Sequence, residues 1–230
     1  MTNKTRMVIA LAIATLLASL NMQAQENCQA VTSGSRSQCA KSAAASPAGA
    51  TTLFSNLGSG KNLFNQSAGL AISGPGSGSV QAAAVPFTPA IGTTLEGLEI
   101  PVGWIGGTNS VLVCIYADNG GFPGIPVECV TVYNLYPFGV GWEWPICLWE
   151  LPHPPFPWPC PCIFVVDWRP IVLLEGAQYW VVVYPDPLEP TFRGFWNENY
   201  ANTVGPVALY NGSTWEIQNA VQPAVALYGK

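Results

Sequence analysis

The chain has 230 residues and a formal net charge of −5, and only 9% of its side chains are charged. That acidic balance and the scarcity of Lys and Arg argue against nucleic acid and anionic membrane surfaces as partners, since clusters of basic residues hold both. Seven cysteines point to an oxidising compartment, in which six pair and one is left over.

The chain opens with Lys4 and Arg6, continues as "MVIALAIATLLASL" from Met7 to Leu20, and reaches a small residue at Ala24. A basic start, an apolar stretch and a small residue at the cleavage point predict a secretory signal peptide over residues 1–24. The apolar stretch is shorter than the about 20 residues that a membrane span needs. Every later apolar run is cut by Pro, Gly or charge. The expected product is therefore secreted, extracellular or periplasmic, with no membrane insertion. Removing Lys4 and Arg6 leaves six basic residues against thirteen acidic ones.

Residues 25–50, "QENCQAVTSGSRSQCAKSAAASPAGA", lack apolar periodicity and read as a disordered low-complexity leader. Cys28 and Cys39 are expected to close a local loop within it. From Thr51 onward the pattern is one of strands and turns. "TLEGLEIPVGW" alternates, with Leu98, Ile100, Val102 and Trp104 on one face and Glu99 on the other. "SVLVCIY" (Ser110 to Tyr116) and "VECVTVY" (Val127 to Tyr133) flank a Gly/Pro turn. "AQYWVVVYP" (Ala177 to Pro185) reads as a buried strand, and Asn211-Gly212 between apolar runs signals a hairpin. "GPGSGS" (Gly74 to Ser79) lacks the Lys of a phosphate-binding loop and reads as a turn. Many short strands punctuated by Gly and Pro predict an all-β fold, a single jelly-roll-like β-sandwich over residues 51–230.

Five stretches occur in order: "AVPFTP" (Ala84 to Pro89), "CIYADNGGFPG" (Cys114 to Gly124), "LLEGAQYWVVVYP" (Leu173 to Pro185), "FWNENY" (Phe195 to Tyr200) and "GSTWEI" (Gly212 to Ile217). In these the chain resembles the choice-of-anchor R domain of secreted bacterial proteins, from about Thr51 to Lys230. The most specific pieces are the Asp-x-x-Gly-x-Pro-Gly turn at Asp118 and the Glu-Gly-x-x-Tyr-Trp strand at Glu175. The resemblance implies a β-sandwich brought to the cell surface by a variable C-terminal sorting tail. The ending "QPAVALYGK" departs from that pattern, having no Pro-Glu-Pro motif.

Cys114 and Cys129 lie symmetrically about the centre of "ADNGGFPGIP". A hairpin centred there makes them direct cross-strand partners, within disulfide reach. The same symmetry suggests Cys147 with Cys162, although Cys160 competes for the partner. These last three belong to "WEWPICLWELPHPPFPWPCPC" (Trp142 to Cys162), which holds four tryptophans, seven prolines and the sole histidine, His153. Prolines cannot join a central ladder, so this segment is expected at the surface. Its tryptophans either cover a sheet edge or stand exposed on a stiff loop.

Catalytic vocabulary is sparse. A nucleophile pair of Cys160 or Cys162 with His153 has no third group to orient it, and no Gly-x-Ser-x-Gly elbow occurs. Glu143, Glu150, Asp167 and Glu198 are the carboxylates available for a glycosidase pair, although the acidic residues read mainly as solvated strand and turn positions. "DNGG" is too poor in acids for a strong calcium site and reads as a turn, with Asn119-Gly120 supplying positive φ. The expectation is a non-catalytic protein without cofactor or metal. Its candidate ligand contacts are Trp142, Trp144, Trp149 and Trp158, and a loop carrying Trp196, Asn197 and Asn199. The expected partner is an extracellular polysaccharide or a cell-surface component. The alternatives are a structural or adhesive matrix protein and a carbohydrate-active enzyme.

Overall fold

The computed structural model describes residues 49–58, 63–138, 164–165 and 169–230. The signal peptide, nearly all of the leader, and five cysteines (Cys28, Cys39, Cys147, Cys160 and Cys162) lie outside the described residues. So do Trp142, Trp144, Trp149, Trp158, His153, Glu143, Glu150 and Asp167.

The described residues form strands β1 (Thr51–Ser55), β2 (Phe64–Ser73), β3 (Ala82–Phe87), β4 (Thr93–Ile100) and β5 (Val102–Gly106). They continue with β6 (Ser110–Asp118), β7 (Pro123–Tyr133), β8 (Tyr136–Pro137), β9 (Phe164–Val165) and β10 (Ile171–Leu173). The last five are β11 (Tyr179–Pro185), β12 (Arg193–Asn199), β13 (Val204–Tyr210), β14 (Trp215–Val221) and β15 (Ala226–Gly229). A six-stranded sheet has the order β14-β13-β3-β11-β6-β7, antiparallel throughout. A five-stranded sheet runs β1-β15-β4-β10 with β9 also on β4, and a four-stranded sheet runs β2-β12-β5-β8.

All three sheets feed one apolar core, as a sandwich requires. The six-stranded sheet contributes Val85, Val113, Ile115, Val181 and Val183, the five-stranded one Leu98, Ile100, Leu173 and Leu227, and the four-stranded one Ile72, Val102 and Trp196. Strand β11 is buried on both faces, as its unbroken apolar run predicts.

The alternating run from Thr94 to Trp104, read in sequence as one strand, is two. Pro101 interrupts it, because proline has no N–H for a ladder. The chain changes sheet there, from β4 to β5, while the Pro101 carbonyl accepts from the Asn197 N–H at 3.0 Å. Leu98, Ile100 and Val102 nevertheless enter the same core.

The predicted hairpin pairs β6 with β7, and Cys114 faces Cys129 directly in a disulfide with a Cα–Cα distance of 4.1 Å. Two register shifts lie between this pair and the turn and place extra residues on β7. The turn therefore sits between Asp118 and Pro123, displaced from the centre of symmetry, while the cysteine register is untouched. Positive φ in it comes from Gly120 and Gly121; Asn119 is not among the residues with that conformation, which corrects the assignment to Asn119-Gly120. The Asn211-Gly212 hairpin forms, with Tyr210 opposite Trp215 and Gly212 at φ 95°. Asn211 Oδ1 accepts from the Ser213 and Thr214 N–H groups, both at 3.0 Å, and closes the turn.

Candidate ligand-binding face

Of the sequence-predicted contacts, Trp196, Asn197 and Asn199 are described, and the structure corrects all three. They lie on β12, not on a loop. Trp196 is 0% exposed, and its indole Nε1 donates to the Ala224 carbonyl at 2.8 Å. Asn197 donates through Nδ2 to Asn65 O at 2.9 Å. Asn199 is 0% exposed; its Nδ2 donates to Gln222 O and Thr203 O, and its Oδ1 accepts from the Thr203 N–H at 2.7 Å. These side chains spend their polar groups on the fold, as buried polar groups must. Asparagine in a strand is unfavourable, and that was the available signal of a structural role.

Glu99 lies, as the alternation places it, on the other side of β4 from Leu98 and Ile100. It is 6% exposed there and accepts from the Tyr228 hydroxyl at 3.0 Å. Burial raises its carboxyl above the ordinary range, and the hydrogen bond from Tyr228 opposes the shift only in part. Burial, and then the charge of Glu99, push the Tyr228 phenol upward as well.

The two most distinctive sequence motifs are the two halves of one contact. Asp118 opens the first motif, and its Oδ1 accepts from Trp180 Nε1 and Gln178 Nε2, both at 2.8 Å. Its Oδ2 accepts from the Gly121 N–H at 3.0 Å across the turn. Gln178 and Trp180 belong to the second motif, at the start of β11. Desolvation pushes the Asp118 carboxyl up, but bonds from Gly121, Trp180, Gln178 and Gly120 together outweigh it and hold the carboxyl below its usual value. One carboxylate thus ties the β6–β7 turn to the neighbouring strand and satisfies an indole N–H on a buried tryptophan. In sequence this aspartate marks only a turn.

The face of the six-stranded sheet that points away from the core carries an aromatic row. Trp215 on β14 faces Tyr210 on β13, Tyr210 faces Ala82 on β3, and Tyr184 on β11 follows beside Ala82. The flanking strands β11 and β13 stand two strand spacings apart, roughly 9.6 Å. The Tyr184 and Tyr210 ring centroids are nonetheless only 5.6 Å apart. The two rings therefore lean together over Ala82, which is buried. Trp215 continues the row, with centroids 5.2 Å from Tyr210. All three rings remain half-buried, with part of their surface open. Burial pushes the Tyr184 phenol to about 12, helped by the charge and hydrogen bond of Tyr210, so it stays neutral at physiological pH.

The next row on this face is small and buried: Ala208, Ala84, Val182 and the Cys114–Cys129 disulfide. The alanines leave room for the tyrosine rings, and the disulfide locks the far end of the same face. None of the six strands contains Lys or Arg, whereas Asp118, Glu128 and Glu216 lie on them. A face of open aromatic rings with no cation can stack on apolar surfaces that carry hydroxyls, and it offers nothing to neutralise an anion. No protein-family model, curated protein or solved structure matches the chain.

Proposed function

We propose that this is a secreted, non-catalytic β-sandwich that binds extracellular glycans, and that the Tyr184–Tyr210–Trp215 row is its contact surface. The observation that carries the reading is this row of half-open rings on a rigid sheet, held by neighbouring strands and not by a loop. Sugar rings present apolar C–H faces, and stacking them on aromatic rings already fixed in place costs little side-chain entropy. The disulfide supports export into an oxidising compartment, in keeping with the signal peptide read in residues 1–24. The jelly-roll-like connection and the choice-of-anchor R relationship belong to the same proposal. The contact between Asp118 and Trp180 joins the two motifs on which that resemblance rests.

The test is affinity electrophoresis through gels containing soluble polysaccharides, with Tyr210→Ala, Trp215→Ala and Trp158→Ala beside the unsubstituted protein. Retardation lost in the first two variants supports this surface, and loss in the third brings the Pro-rich segment into the site. Retardation by no polysaccharide removes the reading. The rival, an adhesive matrix protein, draws on the exposed Ile125 and Val127 of the edge strand β7. It predicts concentration-dependent self-association in sedimentation velocity instead.

A further inference from the structure

Resting on that assignment of the aromatic row, we infer that the ligand is an uncharged glycan whose chain curves or coils, and not a flat ribbon or a polyanion. Two independent features of the face carry this. The first is ring geometry. Tyr184 and Tyr210 are inclined by 47°, and Tyr210 and Trp215 by 49°. No single plane can lie against two neighbouring rings of the row, so a flat, extended β-1,4-linked chain cannot stack on adjacent rings together. A chain whose successive sugars rotate can present a face to each ring in turn, and the ring-to-ring steps of 5.6 and 5.2 Å are about the length of one hexopyranose unit. The Tyr184 and Tyr210 rings are held in this attitude by closing over Ala82, so the tilt belongs to the fold.

The second feature is charge. Among the described residues the cations are Arg169, Arg193 and Lys230, and none lies on the six-stranded sheet. Of the three acids on those strands only Asp118, bonded to Trp180, belongs to this face; Glu128 lies opposite Ile115 and Glu216 opposite Leu209, on the core-facing side. A uronate or a sulfated sugar would find no counter-charge here to offset the cost of desolvating its anion, which disfavours association. Hydroxyls have partners close by. Asn211 lies next to Tyr210 at the Trp215 end of the row, and Thr131 lies beyond Leu112 at the other.

The experiment measures binding of the whole mature protein to four probes: laminarin and amylose as coiling neutral glucans, cellohexaose as a flat neutral one, and polygalacturonate as an anion. Titration calorimetry at low salt and at about 0.5 M salt, where charges are screened beyond a few ångströms, gives the comparison. The expected result is binding to laminarin or amylose, insensitive to salt and weakened about tenfold by either Tyr210→Ala or Trp215→Ala. Near-ultraviolet circular dichroism of both variants confirms that the fold is retained, and Trp215 lies on an edge strand where its loss is least disruptive. Equal or tighter binding of cellohexaose through the same two residues overturns the curved-ligand inference and leaves glycan binding standing. Salt-sensitive binding of polygalacturonate overturns the charge argument in the same way. Binding to none of the four, or binding indifferent to both substitutions, overturns the inference and the proposed surface together.

Discussion

Replacing Asp118 by alanine tests the contact between the two motifs. The carboxylate accepts from Trp180, Gln178 and the Gly121 N–H. Gln178 and Gly121 are open enough to recover water, whereas the Trp180 indole is 1% exposed and is left with an orphaned donor. A buried donor without a partner costs about 1–3 kcal/mol, and a hydrogen bond to a charged group is worth about 1.5–3 kcal/mol. The expected loss is about 3 kcal/mol, a large part of the stability of a domain of this size. Trp180→Phe removes the same bond from the other side and should cost about 2 kcal/mol. The assay is urea unfolding of the two single variants and the double variant, read by far-ultraviolet circular dichroism. A coupling energy of about 1–2 kcal/mol is expected at pH 7. Because the folded Asp118 carboxyl lies below its ordinary value, this stabilisation is complete above the unfolded value of about 3.9 and fades as the pH falls through the lower folded one. Costs that simply add, or a coupling that weakens between pH 7 and pH 5, would refute the reasoning.

Glu99→Gln should raise stability at pH 7 and do so progressively less toward pH 4, because the folded carboxyl is raised by burial and its ionisation works against folding as the pH rises; thermal melts at the two pH values measure this, and a uniform loss contradicts it. Removing the disulfide with Cys114→Ala and Cys129→Ala should cost about 3 kcal/mol, from the entropy of a loop closed across a separation of 15 residues, and a reductant should destabilise the unsubstituted protein by about that much more than the variant. Ala82→Leu should destabilise by about 1–3 kcal/mol, because the Tyr184 and Tyr210 rings close over that position, and should weaken any glycan bound by the row. Unchanged stability in that variant would mean that the rings do not rest on Ala82.

Much of the strand content was legible because it depends on short-range pattern. The Val, Ile and Tyr runs of β6, β7 and β11 and the Asn211-Gly212 turn announce themselves within a few residues. The disulfide was legible for a related reason, since the register of one hairpin follows from the symmetry of its strands about a turn. The break at Pro101 was visible as a residue but not as a change of sheet, because alternation continues across it and both halves face one core.

The site was legible only in kind. Sequence alone established a chain rich in aromatic residues, poor in charge and suited to oxidising surroundings. It could not rank the tryptophans, because whether an aromatic ring is open depends on strands far apart in the chain. Trp196 looked like a loop residue and is buried in the core, and Tyr184 looked like core and stands on the outer face. Tyr184, Tyr210 and Trp215 become neighbours only when β3 brings β11 and β13 together, and the short Ala82 side chain lets their rings meet. Local chemistry determined the strands, the turns and the cysteine pair, while the order of strands in the sheet decided which rings face outward side by side.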